Sequence, residues 1–174
     1  SASLSFDPYC ETRVAVSANR PRLAVLREQG VNGQIEMAAA FDAGGFDAVD
    51  VTMTDLMEGR SRLDDFVGLA ACGGFSYGDS IAAGRIMANL MRETLYGKFV
   101  EALQRGVPMI APCNGFQIAV QIGLLPGPTP GNNWSQEAPT PSVSLSQNQS
   151  ARFIDKWVGL QIPSNTRCVW TKGI

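Results

Sequence analysis

Two apolar stretches within residues 108–120 are separated by only four residues, Pro112-Cys113-Asn114-Gly115. The first stretch has the length of a buried strand, and the second has the composition of a helix. A turn this short holds Cys113 clear of the sheet, and the N–H groups that begin the helix favour a thiolate over a thiol. The junction predicts a parallel strand that ends in a nucleophile, although a lone cysteine beside a strand can also be a small core residue.

Short apolar segments and helical segments alternate between residues 22 and 111. The predicted strands span residues 23–26, 48–51, 69–72 and 109–111, and the predicted helices span residues 35–41, 54–57 and 86–103. Strands and helices that alternate in this way form a parallel sheet, covered on both faces through right-handed crossovers. The pattern therefore predicts a doubly wound α/β domain with a flavodoxin-like, mostly parallel sheet.

The character of the sequence changes after residue 125. Residues 126–141 carry five prolines among Gly, Asn, Ser and Thr, a composition typical of loops. Polar and apolar residues then alternate in three segments, at residues 142–145, 157–162 and 168–171. Because half-exposed strands have this period of two, we predict antiparallel strands toward the C-terminus.

Length and charge narrow the class of protein. The chain has 174 residues, 45% of them hydrophobic, which suits one domain with a substantial core. We predict a linker or arm at residues 1–20 and a single domain at residues 21–174. The net charge is -2 and Lys and Arg do not cluster, which argues against nucleic acid as a partner.

Neither a bilayer-spanning apolar run of ~18 residues nor a secretory signal is present, so we expect no membrane association and a cytoplasmic location.

The reactive residue types give two further constraints. The four cysteines are widely spaced without a C-x-x-C pair, which predicts reduced thiols, no disulfide framework and no metal site. Histidine is absent from all 174 residues. A cysteine nucleophile usually needs a neighbouring base to take its proton, and this sequence does not supply the usual one.

A glycine-rich turn at residues 73–79 follows the predicted strand at residues 69–72. Because the carboxyl ends of parallel strands meet at one edge of a sheet, we expect this turn and Cys113 to share a ligand-binding edge. Gly73 and Gly74 have no Cβ, so their backbone N–H groups can approach and stabilise a developing oxyanion.

The sequences Gly-Gly-Phe-Ser-Tyr-Gly-Asp at residues 73–79 and Cys-Asn-Gly-Phe-Gln at residues 113–117 together resemble the class I (triad) glutamine amidotransferase domain of phosphoribosylformylglycinamidine synthases of purine biosynthesis. The likeness extends from about residue 20 to residue 174. It implies a glutaminase module that releases ammonia from glutamine, through a cysteine thioester, for a synthetase that converts formylglycinamide ribonucleotide to formylglycinamidine ribonucleotide. It also implies that ATP and Mg bind to the synthetase partner and that this domain holds no cofactor. Residues 73–79 indeed lack the Lys-Ser/Thr ending of a nucleotide-binding loop.

The resemblance also implies roles for individual residues. Cys113 is the residue expected to attack the carboxamide of glutamine. The oxyanion is expected to be held by backbone N–H groups around Gly74 and of Asn114, and Gly73 and Phe75 are expected at the same oxyanion- or substrate-binding site. Gln117 is expected to help position glutamine, although a polar residue in the first turn of a helix is as often simply solvated.

The lack of histidine leaves alternatives open. In this family the catalytic His and Glu follow the strand that here ends near residue 174, so we expect a domain cut short before its general base, with poor turnover. One alternative is a non-catalytic amidotransferase-like domain that only docks to a partner. Another is a stand-alone cysteine hydrolase or stress protein of the same architecture.

Overall fold

The computed structural model describes residues 19–129 and 131–172. Within them, four strands form one sheet in the order β2-β1-β3-β4, and every neighbouring pair is parallel. The strands are β1 (Arg22–Arg27), β2 (Asp47–Thr52), β3 (Gly68–Ala71) and β4 (Met109–Ile110). Their ends agree with the four predicted strands to within about one residue, and the predicted parallel α/β architecture is confirmed.

The described helices are α1 (Gln34–Ala43), α2 (Met53–Met57), α3 (Arg85–Thr94), α4 (Tyr96–Gln104) and α5 (Asn114–Gln121). The single helix predicted at residues 86–103 is therefore two helices. The backbone of Leu95 leaves the helical range, with φ of -124°. Leu95 is only 1% exposed, so the break lets the chain turn while this side chain stays in the core.

Burial explains why these segments form a parallel sheet. Every residue of β3 and the central residues 23–26 of β1 are buried, as expected for strands covered on both faces. From β1 the chain moves to β2 on one side, whereas β3 lies on the other side, so the strand order reverses between β1 and β3. In open α/β sheets, ligands bind outside the carboxyl ends of the strands at such a reversal.

The antiparallel strands predicted toward the C-terminus are wrong for the described part of the chain. No strand forms there at any of the three predicted segments, residues 142–145, 157–162 and 168–171. Trp157 is 93% exposed, and residues 153–162 make no backbone-to-backbone hydrogen bond within the described ranges. Alternation makes a segment amphipathic, but a strand forms only where a neighbouring backbone pairs with it.

Trp170 nevertheless reaches the sheet from this C-terminal region. Its indole Nε1 donates to the carbonyl oxygen of Met109 in β4 at 3.1 Å. Its ring also packs edge-on against Phe41 of α1, with 6.0 Å between ring centroids. The end of the described chain is thus attached to an edge strand through one side chain.

Two expectations from the sequence concern other parts of the molecule. Residues 1–18 of the predicted linker or arm lie outside the described residues, so that prediction remains open. Across residues 19–129 and 131–172, no helix is long and apolar enough to cross a membrane.

Candidate functional site

Cys113 occupies a sharp turn between β4 and α5. Its backbone has φ of +53° and ψ of -118°, and it is the residue that caps the N-terminus of α5. A non-glycine residue with positive φ is uncommon and strained, and such residues concentrate at functional sites. The side chain is exposed, so the thiol lies clear of the core as the sequence predicted.

Two glycines allow this turn to sit directly on the sheet edge. A Cβ on Gly115 would lie 2.0 Å from the carbonyl oxygen of Ala71 at the end of β3. A Cβ on Gly73 would lie 3.2 Å from the Cβ of Cys113, closer than most real Cβ contacts. The glycine-rich turn and the cysteine therefore meet at one edge, as the order of strands and turns predicted.

The glycine-rich turn is held from the other side by the loop after β1. The N–H of Phe75 donates to the carbonyl oxygen of Gly30 at 2.8 Å, and the N–H of Tyr77 donates to that of Gln29 at 2.7 Å. In the opposite direction, the N–H of Asn32 donates to the carbonyl oxygen of Gly73 at 3.3 Å. These bonds cross the point where the strand order reverses. Sequence reasoning missed this support, although the glycine at position 30 was a signal that two backbones approach each other there.

The hydrogen bonds identify which backbone donors are free to bind a ligand. The N–H of Phe75 donates to the carbonyl oxygen of Gly30, so it is not free to bind a ligand in this structure. The residue Phe75 is 62% exposed. By contrast, the N–H groups of Gly73, Gly74 and Asn114 donate to no partner within the described residues. Free donors on both sides of the turn fit an oxyanion-binding arrangement.

The side chain of Asn114 is buried rather than directed to solvent. It is 0% exposed, its Oδ1 accepts from the N–H of Ser76 at 3.2 Å, and its Nδ2 donates to Oε1 of Gln117 at 2.9 Å. The side chain is therefore not available for the predicted role, and the backbone N–H has no partner within the described residues. Its side chain instead ties the start of α5 to the glycine-rich turn.

Gln117 lies near the start of α5, four residues after Cys113, which precedes the helix and has a non-helical backbone. It is half-buried and lines a cavity of about 650 Å³ between α3, α5 and residues 141–147. Polar side chains of Arg85, Asn89 and Gln121 line the same cavity, whereas Cys113 does not. Gln117 therefore faces a space beside α5 that is large enough for a small polar molecule.

The other described cysteines have different surroundings. Cys72 is 2% exposed, and burial, followed by the charges of Asp50 and Glu36, raises the pKa of its thiol to about 11. Cys168 is exposed but lies in the C-terminal segment, away from any helix start. Cys113 thus combines an exposed thiol with a strained turn and a helix N-terminus.

A model of the CobB/CobQ-like glutamine amidotransferase domain matches residues 20–174. The chain belongs to this family. The amidotransferase domain is 40% identical to phosphoribosylformylglycinamidine synthase of Saccharomyces cerevisiae over 179 aligned positions, which cover 92% of the domain but 13% of that protein. It is 38% identical to the protein of the same name from Schizosaccharomyces pombe, with 98% of the domain and 13% of that protein covered. The chain therefore spans about an eighth of the length of these relatives.

A solved structure is also similar to the chain. "Structure of PurLQS from Thermotoga maritima" contains a chain that is 31% identical to this amidotransferase domain, with a TM-score of 0.59. The match covers 80% of this domain and 54% of that chain. The resemblance first indicated by residues 73–79 and 113–117 is confirmed at the level of family and fold.

Proposed function

We propose that this domain is the glutaminase module of a phosphoribosylformylglycinamidine synthase. It releases ammonia from glutamine for the ATP-dependent conversion of formylglycinamide ribonucleotide to formylglycinamidine ribonucleotide. The observation that carries the proposal is the geometry at Cys113. An exposed thiol sits at φ of +53° at the start of α5, with Gly73 against it and free backbone donors nearby. The name and 40% identity of the yeast relative support the same reaction.

The reaction proceeds through two substitutions at one carbon. The sulfur of Cys113 attacks the carboxamide carbon of glutamine, and the carbonyl oxygen becomes an oxyanion to which the N–H groups of Gly74 and Asn114 donate. The C–N bond breaks as the nitrogen gains a proton, which releases ammonia and leaves a thioester on Cys113. Water then attacks the thioester carbon, so glutamate leaves and the thiol is restored.

The proton transfers of this mechanism need a general base. No histidine occurs in the 174 residues, so the base is not a histidine of this sequence. The family resemblance implies that a His and a Glu act in these proton transfers, and no position of this sequence matches either residue. General acid–base catalysis contributes about 10²–10⁴-fold, so we expect these 174 residues alone to form the thioester slowly and to hydrolyse glutamine near background.

The ammonia is useful only if it reaches a second site before it is protonated in solvent. We propose that the domain docks through residues 27–33 and 73–79 onto a synthetase that binds ATP, Mg and formylglycinamide ribonucleotide, in the cytoplasm. The relatives are synthases about eight times as long as this chain, which supports such a partner or neighbouring domain. The domain itself binds no ATP, and micromolar ATP binding in a calorimetric titration of this chain would contradict that.

Labelling by a chloroketone analogue of glutamine tests the function at its central residue. The reagent should modify Cys113 with a rate that saturates with concentration, and free glutamine should slow the modification. The C113S variant should lose the label, while the exposed Cys168 remains unlabelled at saturating reagent. Modification that never saturates, or that glutamine does not slow, would refute a glutamine site at this turn.

A further inference from the structure

One fully buried polar side chain joins the nucleophile turn to the glycine-rich turn. Asn114 is 0% exposed, and its amide lies between Ser76, Asp79 and Gln117. A buried amide group without a partner is costly, so the neighbours dictate which way round the amide sits.

Two of these neighbours have a fixed hydrogen-bonding character. The backbone N–H of Ser76 can only donate, and it lies 3.2 Å from Oδ1 of Asn114. A carboxylate only accepts, and Oδ1 of Asp79 lies 3.5 Å from Nδ2 of Asn114 while it accepts from the N–H of Gly84 at 3.0 Å. The 3.5 Å contact is long, but a carboxylate at that distance still repels an amide oxygen and attracts an amide NH₂. Both neighbours therefore require the same orientation of Asn114.

The orientation of Asn114 determines that of Gln117. Nδ2 of Asn114 donates to the side-chain oxygen of Gln117 at 2.9 Å. The side-chain NH₂ group of Gln117 is therefore the end that is available to another partner. That NH₂ group makes no hydrogen bond within residues 19–129 and 131–172. Because Gln117 lines the cavity beside α5, it offers that cavity a hydrogen-bond donor.

We propose that Asp79 is a positioning residue, which together with the N–H of Ser76 orients Asn114 and so turns the NH₂ group of Gln117 toward an acceptor oxygen of bound glutamine. The inference rests on the proposed function, because that function supplies the ligand. The backbone of Asp79 agrees with a side-chain role. Its φ is +50°, a conformation that glycine adopts without strain, yet the position carries a carboxylate that contacts both Gly84 and Asn114.

Two substitutions in the full chain separate the role of the carboxylate from that of the backbone. Asp79→Gly removes the acceptor, whereas Asp79→Asn keeps an acceptor oxygen, and both residues tolerate a positive φ. The saturation constant of the glutamine-like chloroketone reports recognition, and the iodoacetamide rate at Cys113 reports intrinsic reactivity. We expect Asp79→Gly to raise the saturation constant about tenfold while the iodoacetamide rate changes less than about twofold. Asp79→Asn should stay within about twofold of the unsubstituted chain in both assays.

A double variant tests whether Asp79 acts through Gln117. In a Gln117→Ala background, Asp79→Gly should raise the saturation constant no further. Effects that multiply would overturn the proposal, as would an unchanged Asp79→Gly variant or an Asp79→Asn variant as weak as Asp79→Gly. Failure of the unsubstituted chain to saturate would instead count against the proposed glutamine site itself.

A second measurement needs no substitution and stands even if Asp79→Gly does not fold. The side-chain NH₂ of Asn114 is buried and bonded, so in NMR it should exchange with deuterated solvent at least about 100-fold more slowly than that of the exposed Asn32. Similar exchange rates for the two amides would overturn the proposed network.

Discussion

Two cysteines follow neighbouring strands but lie in opposite surroundings. Cys72 follows β3 and is buried, and burial is the main reason that the pKa of its thiol is raised to about 11. Cys113 follows β4 and is exposed on a turn. Alkylating reagents attack the thiolate, and at pH 8 a thiol with the pKa of Cys72 is ionised in only about one molecule in a thousand.

We predict that iodoacetamide at pH 8 modifies Cys113 of the folded chain at least about tenfold faster than Cys72. Peptide mass spectrometry of samples quenched at timed intervals measures both rates. Unfolding in urea exposes both thiols and should bring the two rates close together. Faster modification of Cys72 in the folded chain would contradict an exposed turn at Cys113.

At the scale of elements, two glycines inside helices have opposite surroundings. A Cβ on Gly115 in α5 would lie 2.0 Å from the carbonyl oxygen of Ala71, whereas a Cβ on Gly97 in α4 would have nothing within 4 Å. We predict that Gly115→Ala destabilises the chain by about 1–3 kcal/mol, because α5 must move away from β3. Gly97→Ala, the matched control, should stabilise it by about 0.5–1 kcal/mol. Urea unfolding measures both, and a stabilised Gly115→Ala variant would show that α5 is not seated on β3.

The short helix α2 begins with hydrogen bonds to one carboxylate. The N–H and Oγ1 of Thr52 donate to Oδ2 of Asp55 at 2.9 and 2.7 Å, and Nε of Arg60 donates to its Oδ1 at 2.8 Å. These contacts, the Thr52 side chain first, lower the pKa of Asp55 to about 2. Stabilisation by a carboxylate of lowered pKa is complete above its unfolded pKa and is lost as the pH falls through its folded pKa.

We therefore predict that Asp55→Asn is less stable than the unsubstituted chain by about 1 kcal/mol at pH 6. The difference should shrink between about pH 4 and pH 2, because protonation removes the charge of Asp55 in the unsubstituted chain as well. Unfolding free energies from urea titrations across this range test the prediction. A difference that stays constant down to pH 2 would mean that the carboxylate charge does not stabilise α2.

At the scale of the whole molecule, the sheet with its helices and the C-terminal segment differ in packing. Large apolar side chains are buried through β1, β3, α3 and α4, whereas Phe153 and Trp157 are 90% and 93% exposed. Backbone without sheet or helix bonds is cut readily by proteases. We predict that brief trypsin treatment cleaves at Arg152 and Lys156 first, while residues 22–124 remain intact by mass spectrometry. Earlier cleavage at Arg92 in α3 would contradict this division.

Local patterns were enough to predict the four strands and the turn at Cys113, because apolar runs and glycines act over a few residues. The support of the glycine-rich turn by residues 29–33 was missed, since it depends on β1 and β3 being neighbours in the sheet. The burial of the Asn114 side chain was also missed, since its partner Ser76 lies 38 positions away. The strands predicted near the C-terminus were wrong because alternation shows amphipathic character and does not supply a pairing partner.

The bonds between residues 29–33 and residues 73–77 also limit how the two loops can change. Surface loops normally accept insertions and deletions. Here residues 30–32 pair in register with residues 73–75, and the chain skips one residue before Tyr77 bonds to Gln29. Glycines occupy the points of closest approach. One extra residue in either loop would shift every later pair. We therefore expect an insertion within residues 30–32 or residues 73–75 to disrupt the paired stretch unless the opposite loop gains a residue to match.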